Sequence, residues 1–226
     1  MLFSRKIIYF PLPPIMFDGK PIPYSHNVRF LGVQLDPKLS WKNHITTVRN
    51  KLASVSGILS SIRPKIIKST AKLLYYTLAY PHFTYANVLW TSTAASNLKP
   101  LIVMQKRLIR IITKRGWIEH TDPLFSELKL LKFSDLSSLS LALFVYKTVN
   151  NLIQSPITFT PREEIPYNLR NVLPLLNPQN QSNQTRLFVE SRGKELWNRL
   201  PNQIKESNNP LCLKNRLKSY FISNYG

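Results

Sequence analysis

The chain has 226 residues, 43% hydrophobic and 11% aromatic, enough to fill one sizeable core or two small ones, so disorder of the whole is excluded. Thirty-one Lys and Arg against 11 Asp and Glu leave a formal charge of +20, which points toward phosphate-rich or acidic partners. The single cysteine, Cys212, excludes an internal disulfide and a zinc knuckle or ribbon, both of which need clustered thiolates, and favours an intracellular setting, nucleus or cytoplasm.

Met1 to Phe10 mixes Arg5 and Lys6 with bulky residues and lacks the apolar run and small-residue cleavage site of a signal peptide. Lys6 to Phe10 reads as a short strand. Ile15 to Phe17, Asp18-Gly19 and Lys20 to Ile22 spell a tight hairpin, and Val28 to Leu35 reads as the next strand. Isolated hairpins are marginal in water, so this sheet is expected to continue into residues outside the chain.

From Ser40 the period changes. Trp41, Ile45, Val48, Leu52, Val55, Leu59 and Ile62 alternate steps of four and three, which puts them on one helical stripe with Ser40 as N-cap. Arg63-Pro64 breaks that helix, and a second runs antiparallel to it from Lys65 to Tyr80, ending near Pro81, which cannot donate the interior hydrogen bond. A third spans about Leu98 to Lys114, with Leu101, Met104, Leu108, Ile111 and Ile112 inward and Gly116 as its stop. Thr121 or Asp122 with Pro123 starts a short helix to about Leu130, and Ser134 caps a long one to about Leu152. Residues 155–185, rich in Pro, Asn and Gln, read as a long connection, before two closing helices at Ser191 to Leu200 and Leu211 to Tyr220. The apolar run Leu73 to Trp90 contains Pro81, His82, Asn87 and several tyrosines, whose desolvation argues against a membrane span, so no membrane partner is expected.

Between Asp36 and Glu119 no acidic residue occurs, yet 14 basic ones do. Lys42, Arg49, Lys65, Lys68, Lys72, Lys99, Lys106, Arg107, Arg110, Lys114 and Arg115 are the candidate phosphate contacts among them. A solvated helical surface normally interleaves both signs; this interval forgoes that and bears self-repulsion unless a polyanion neutralises it. Lys106, Arg110 and Lys114, four apart, form one ridge, although each alone reads equally as a solubilising side chain. Tyr75, Tyr76, Tyr80, Phe83, Tyr85 and Trp90 sit at helical spacing and read as core before they read as base-stacking platforms.

Catalytic constellations are absent from the sequence. Asp18, Asp36, Asp122 and Asp135 stand apart, whereas two-metal phosphoryl transfer needs clustered carboxylates. His26, His44, His82 and His120 have no metal-ligand spacing, and no GxSxG elbow or glycine-rich phosphate loop occurs.

Several phrases in order carry a resemblance: Val28-Arg29-Phe30-Leu31-Gly32-Val33, Leu39-Ser40-Trp41, His44-Ile45, Tyr85 to Trp90, Gln105-Lys106-Arg107, Leu196-Trp197-Asn198 and Leu200-Pro201. Together they resemble the C-terminal part of the reverse transcriptase of jockey-like non-LTR retrotransposons (LINE elements). The resemblance implies a mainly α fold: a palm remnant of short strands at 1–36, a basic thumb-like helical domain at 37–116, a helical extension at 117–154, the connection at 155–185 and C-terminal helices at 186–226. It implies a truncated RNA-directed DNA polymerase that grips the backbone of an RNA–DNA duplex without sequence preference. Phe30, Leu31, Gly32 and Val33 would lie at the palm–thumb junction near the primer end, or simply form a buried strand. The family's Ala-Asp-Asp metal site has no counterpart here, so no cofactor is expected in this chain and Mg2+ only in a full-length polymerase. A fingers–palm portion of the polymerase is the other expected partner; docking it without touching nucleic acid is the alternative role.

Overall fold

The computed structural model describes residues 1–3, 13–159, 175 and 185–225. Two short antiparallel hairpins come first. In one, β1 (Ile15–Phe17) pairs with β2 (Lys20–Ile22), placing Ile15 opposite Ile22 across the expected Asp18-Gly19 turn. Val28 to Leu35, expected as one strand, is a second hairpin: β3 (Val28–Phe30) folds onto β4 (Val33–Leu35) about Leu31-Gly32, with φ of 45° and 81°. Gly32 supplies the left-handed geometry that a two-residue turn demands. Leu31 pays about 1–2 kcal/mol for the same geometry, and its carbonyl is held by a 2.6 Å hydrogen bond donated by the Tyr85 hydroxyl. The expected strand at Lys6 to Phe10 lies outside the described residues.

The stripe read from the sequence builds α1 (Lys42–Ile62): Trp41, Ile45, Val48, Leu52, Val55 and Leu59 are buried and Ile62 is half-buried against them. Its entry differs from expectation. Ser40 does not cap the helix; the chain from 36 to 41 wraps instead around the Asp36 carboxylate, which accepts hydrogen bonds from the backbone N–H groups of Lys38 (3.1 Å), Ser40 (3.0 Å) and Trp41 (2.9 Å) and from the Ser40 hydroxyl (3.2 Å).

A tight turn at Arg63–Lys65 leads to a continuous helical rod formed by α2 (Lys68–Leu74), a wide π turn (Tyr75–Ala79) and α3 (Tyr80–Thr84). The rod does not end at Pro81. Just before the proline the Tyr80 N–H reaches back five residues to the Tyr75 carbonyl, and this wider turn gives the ring room that a regular turn lacks. Ala71, Tyr75, Ala79 and Phe83 are all buried although they recur every four residues. Regular α-helix would rotate them by about 40° per step; the wide turn counters that drift.

After α4 (Asn87–Trp90), α5 (Ala95–Thr113) runs parallel to α1. At one end the Thr93 hydroxyl donates to the Ser40 carbonyl (3.0 Å); at the other, Leu59 and Arg63 share a cleft with Ile111, Ile112 and Lys114. Leu101, Met104, Leu108 and Ile112 are buried as expected, joined by Gln105 and Ile109, while Ile111 is half-buried. The stop is not Gly116: Lys114 takes the left-handed conformation (φ 55°) and its N–H bonds the Arg110 and Ile111 carbonyls.

Next come α6 (Asp122–Leu128), beginning just after Thr121, and α7 (Phe133–Val149). Ser134 lies inside α7 rather than capping it, because the helix starts at Phe133, where the backbone N–H donates to the Gln105 side chain (2.7 Å). Trp90 is fully buried beside it, stacked on Phe133 with ring centroids 5.8 Å apart, its indole N–H donating to the Tyr85 carbonyl (2.8 Å).

The closing helices begin two residues or fewer from expectation, as α8 (Val189–Arg199) and α10 (Pro210–Ser223), with an additional single turn, α9 (Asn202–Lys205), between them. Both α8 and α10 pack on α7. At Gly193 a Cβ would come within 2.8 Å of the Phe159 ring and 2.9 Å of Val145 Cγ2, so a bare backbone is what lets α8 seat there. Tyr225 fastens the C-terminus: its hydroxyl donates to the Asp135 carboxylate and accepts from the Lys132 N–H (2.9 Å). Of the Pro- and Asn-rich connection, residues 160–174 and 176–184 lie outside the described residues. Leu175 is buried and tied at both backbone groups to Asn198 (3.1 and 3.0 Å). Core side chains from Val33 to Tyr225 form one contiguous cluster, and among the described residues no helix is long and apolar enough to cross a membrane.

Candidate nucleic-acid interface

Helix α5 carries four basic residues and no acidic one. Lys99, Lys106 and Arg110 recur at seven and four residues, so they follow one ridge opposite the side that buries Leu101 and Leu108. The ridge expected to continue through Lys114 changes course there, because Lys114 has left the helix for its left-handed cap. The loop that follows folds back on the helix: the Arg110 Nε donates to the Glu119 carbonyl (3.0 Å), and the Arg115 guanidinium lies 3.5 Å from the Glu119 carboxylate. At its tip Trp117 is 71% and Ile118 96% exposed. Arg107 reaches the indole face of Trp117, 5.2 Å from the ring centroid, a cation–π contact that steadies an aromatic surface open to solvent.

The other candidate residues are distributed as follows. Arg63 shares the small cleft with Lys114, and Lys65 is exposed in the turn beside it, so the basic ends of α1 and α5 converge with the 114–120 loop. Lys42 and Arg49, seven apart and both exposed, share one flank of α1. Lys68 pairs with Glu127, as Arg115 does with Glu119, so acids from just beyond the acid-free interval fold back onto two of its cations. Lys42, Arg49, Lys65, Lys72, Lys99, Lys106 and Lys114 form no ion pair among the described residues. Phe30 (62% exposed) and Leu31 (74% exposed) project from the hairpin turn and only Val33 is buried, so this segment is not a buried strand. Gly32 passes the Tyr85 ring, to which its missing Cβ would stand at 3.7 Å.

Sequence reasoning missed Trp117, an isolated loop aromatic with no periodicity to mark it, and Gln105 as a buried junction rather than a surface neighbour of the basic pair. Lys129, Lys214 and Lys218 also went unnoticed. Only the i,i+4 spacing of the last two was visible, and their partners are distant in sequence.

His44 is buried below the hairpin, its Nδ1 accepting from the Gln34 N–H (3.3 Å). Burial, and then the positive charge of Lys51, hold its pKa below the ordinary 6.5. The unfolded chain therefore takes up this proton at a higher pH than the folded one. Stability is retained above the ordinary histidine value and declines as pH falls through it toward the lower folded-state value. The melting temperature should drop between about pH 7.5 and about pH 5.5, less steeply in His44→Asn, whose amide oxygen can still accept from Gln34. His82, lowered by the same two causes, accounts for part of the remaining slope. Equal slopes in the two proteins would show that His44 is not the titrating group.

Three curated relatives match the chain over 127 residues, 54% of its length. One, 29% identical, is a probable RNA-directed DNA polymerase from the transposon X-element of Drosophila melanogaster. The other two are RNA-directed DNA polymerases from the mobile element jockey, 25% identical in Drosophila funebris and 26% in Drosophila melanogaster. This chain is similar to jockey-type retrotransposon polymerases. The similarity bears out the family resemblance over those 127 residues, a shorter stretch than the ordered phrases span. The chain spans 14% of the length of each of these jockey-type relatives. No family model matches it, and no solved structure does. Among the described residues no three His, Cys, Asp or Glu side chains come together in a group that could hold a metal ion.

Proposed function

We propose that this chain is a sequence-nonspecific nucleic-acid grip of a jockey-type reverse transcriptase, holding the backbone of an RNA–DNA duplex without supplying the bond-forming carboxylates. The observation that carries this reading is the α5 ridge, where Lys99, Lys106 and Arg110 have no acidic side-chain partner among the described residues, leading to the exposed Trp117 indole. A thumb must hold a duplex of any sequence, and phosphate neutralisation with counterion release does so. On this reading Phe30 and Leu31, exposed on the hairpin turn, approach the primer end.

With about six phosphates neutralised, affinity for a labelled RNA–DNA duplex should fall on the order of 1,000-fold between about 50 and about 200 mM salt. Replacing Lys106, Arg110 and Lys114 together by Glu should weaken binding at least about 100-fold, equally for unrelated sequences. Because Arg110 also holds the Glu119 carbonyl, a second triple variant with Glu at Lys99, Lys106 and Lys114 separates lost charge from a disturbed loop. Binding indifferent to salt and to both triples would refute the reading.

A second reading rests on a different observation: Ile15, Met16, Phe17, Ile22, Phe30 and Leu31 are all exposed on the two hairpins, an unusual apolar surface for strands this short. Such a surface suits docking of a fingers–palm portion of the polymerase. If that is the whole role, the duplex assay shows no binding by the isolated chain.

A further inference from the structure

A cavity of about 230 Å³ lies between the rod and the C-terminal helix, away from the α5 ridge. Its lining is of two kinds. Tyr75, Tyr76 and Tyr80 of the rod stand over a floor of leucines from the start and body of α7 and the turn before it, and Lys214 and Lys218 of α10 close the mouth. The rings of Tyr76 and Tyr80 lie 5.3 Å apart at 52°, and Tyr75 meets Tyr76 edge-on at 5.8 Å. Tyr75 is buried and receives a hydrogen bond from the Gln105 amide (2.9 Å), whereas neither the Tyr76 nor the Tyr80 hydroxyl is hydrogen-bonded among the described residues.

The mouth is cationic on more than one side. Lys72 lies four residues before Tyr76 on the rod and Lys129 immediately precedes the lining residue Leu130; burial, and then the positive charges of Lys72, Lys214 and Lys129, hold the Lys218 amine below the usual lysine range. Glu127, the acidic residue on the same segment as Lys129, is engaged by Lys68. Among the described residues no acid pairs with these four ammonium groups; gathered so, they repel one another, and an anion relieves that repulsion. An anion alone would not use the tyrosines; a ligand that is anionic at one end and flat and aromatic at the other uses both. The cavity is smaller than the roughly 300–1,000 Å³ that engulfs a drug-sized ligand, so it suits one ring system with the rest outside.

We propose that this cavity takes one unpaired nucleotide of a single-stranded nucleic acid, the base against Tyr76 and Tyr80 and its phosphates on Lys72, Lys129, Lys214 and Lys218. Stacking on aromatic rings with phosphate on lysine is the sequence-tolerant mode of single-strand binding. This site is separate from the duplex grip and makes a different demand, since a paired base cannot enter it.

The test compares three fluorescent probes at fixed salt with the whole chain: a short oligouridylate, a strand of the same length and backbone that is abasic at every position, and a blunt RNA–DNA duplex. The intact oligonucleotide should bind at least tenfold more tightly than the abasic one. The double variant Lys214→Gln, Lys218→Gln should lose at least tenfold in affinity for the oligonucleotide while binding the blunt duplex within twofold of the parent. Equal binding of intact and abasic probes would overturn the proposal, since a lysine rim reading phosphate alone needs no cavity. A parallel loss for duplex and single strand would overturn it too, by merging this site with the α5 grip. The abasic comparison uses the unaltered protein and so holds even if a variant folds poorly. Failure of duplex binding alone, with single-strand binding intact, would count against the grip and not against this site.

Discussion

Replacing Gln105 by Leu should destabilise the protein by about 4 kcal/mol, read as a lowered denaturation midpoint at unchanged slope. The Gln105 side chain is 1% exposed and makes three hydrogen bonds inside the core: its amide donates to the Tyr75 hydroxyl (2.9 Å) and the Leu131 carbonyl (3.0 Å), and its oxygen accepts from the Phe133 N–H (2.7 Å). It thereby joins α5, the π turn and the entry of α7. Leu fills nearly the same space but strands all three partners away from water, at about 1–3 kcal/mol for each group left unpaired. Gln105→Glu keeps the acceptor for Phe133 and loses the amide donor to Tyr75 and Leu131, so it discriminates between lost hydrogen bonds and altered packing. A Leu variant within about 1 kcal/mol of the parent would mean that the junction relaxes or admits water.

Asp36→Ala should cost about 2–3 kcal/mol, a large effect for a half-buried loop residue. Leu39 (φ 50°) and Trp41 (φ 63°) both adopt the left-handed conformation around the carboxylate, each at about 1–2 kcal/mol. Four hydrogen bonds to Asp36 hold them there, and Trp41 starts the buried stripe of α1. Asp36→Asn retains one acceptor oxygen and should fall between the two. Thermal melts of the three proteins at neutral pH give the order; Asn and Ala equally destabilised would assign the effect to charge, and no change in either would remove Asp36 from the helix entry.

Much of the helical frame was legible because periodicity survives folding: the stripe from Trp41 to Ile62 and the inward positions of α5 sit where their spacing puts them. Misreadings arose where backbone chemistry overrode a local rule. Gly32 signalled a turn, but its neighbour Leu31 is a poor turn residue, held in place by a hydroxyl 54 residues away in sequence. Pro81 was read as a terminator because the π turn that accommodates it has no signature in a single sequence. The Asp36 carboxylate outcompeted Ser40 as helix entry because it reaches several N–H groups at once. For the candidate interface, Lys106 and Arg110 of the expected ridge followed from spacing, whereas the departure of Lys114 into a left-handed cap and the neutralisation of Lys68 and Arg115 by Glu127 and Glu119 depend on how neighbouring segments fold. The tyrosine cavity was hidden for a similar reason. Its aromatic wall was read as core, and its lysines come from a helix about 140 residues later in the chain.

The wide turn at Tyr75–Ala79 has a consequence on the solvent side of the rod. Phase is shared by every row of a helix, so whatever keeps Ala71, Tyr75, Ala79 and Phe83 in line inside does the same for the adjacent file of Lys72, Tyr76 and Tyr80. Without the surplus residue absorbed there, a cation and two phenols would spiral apart around the rod; with it, they stand as a column along one edge.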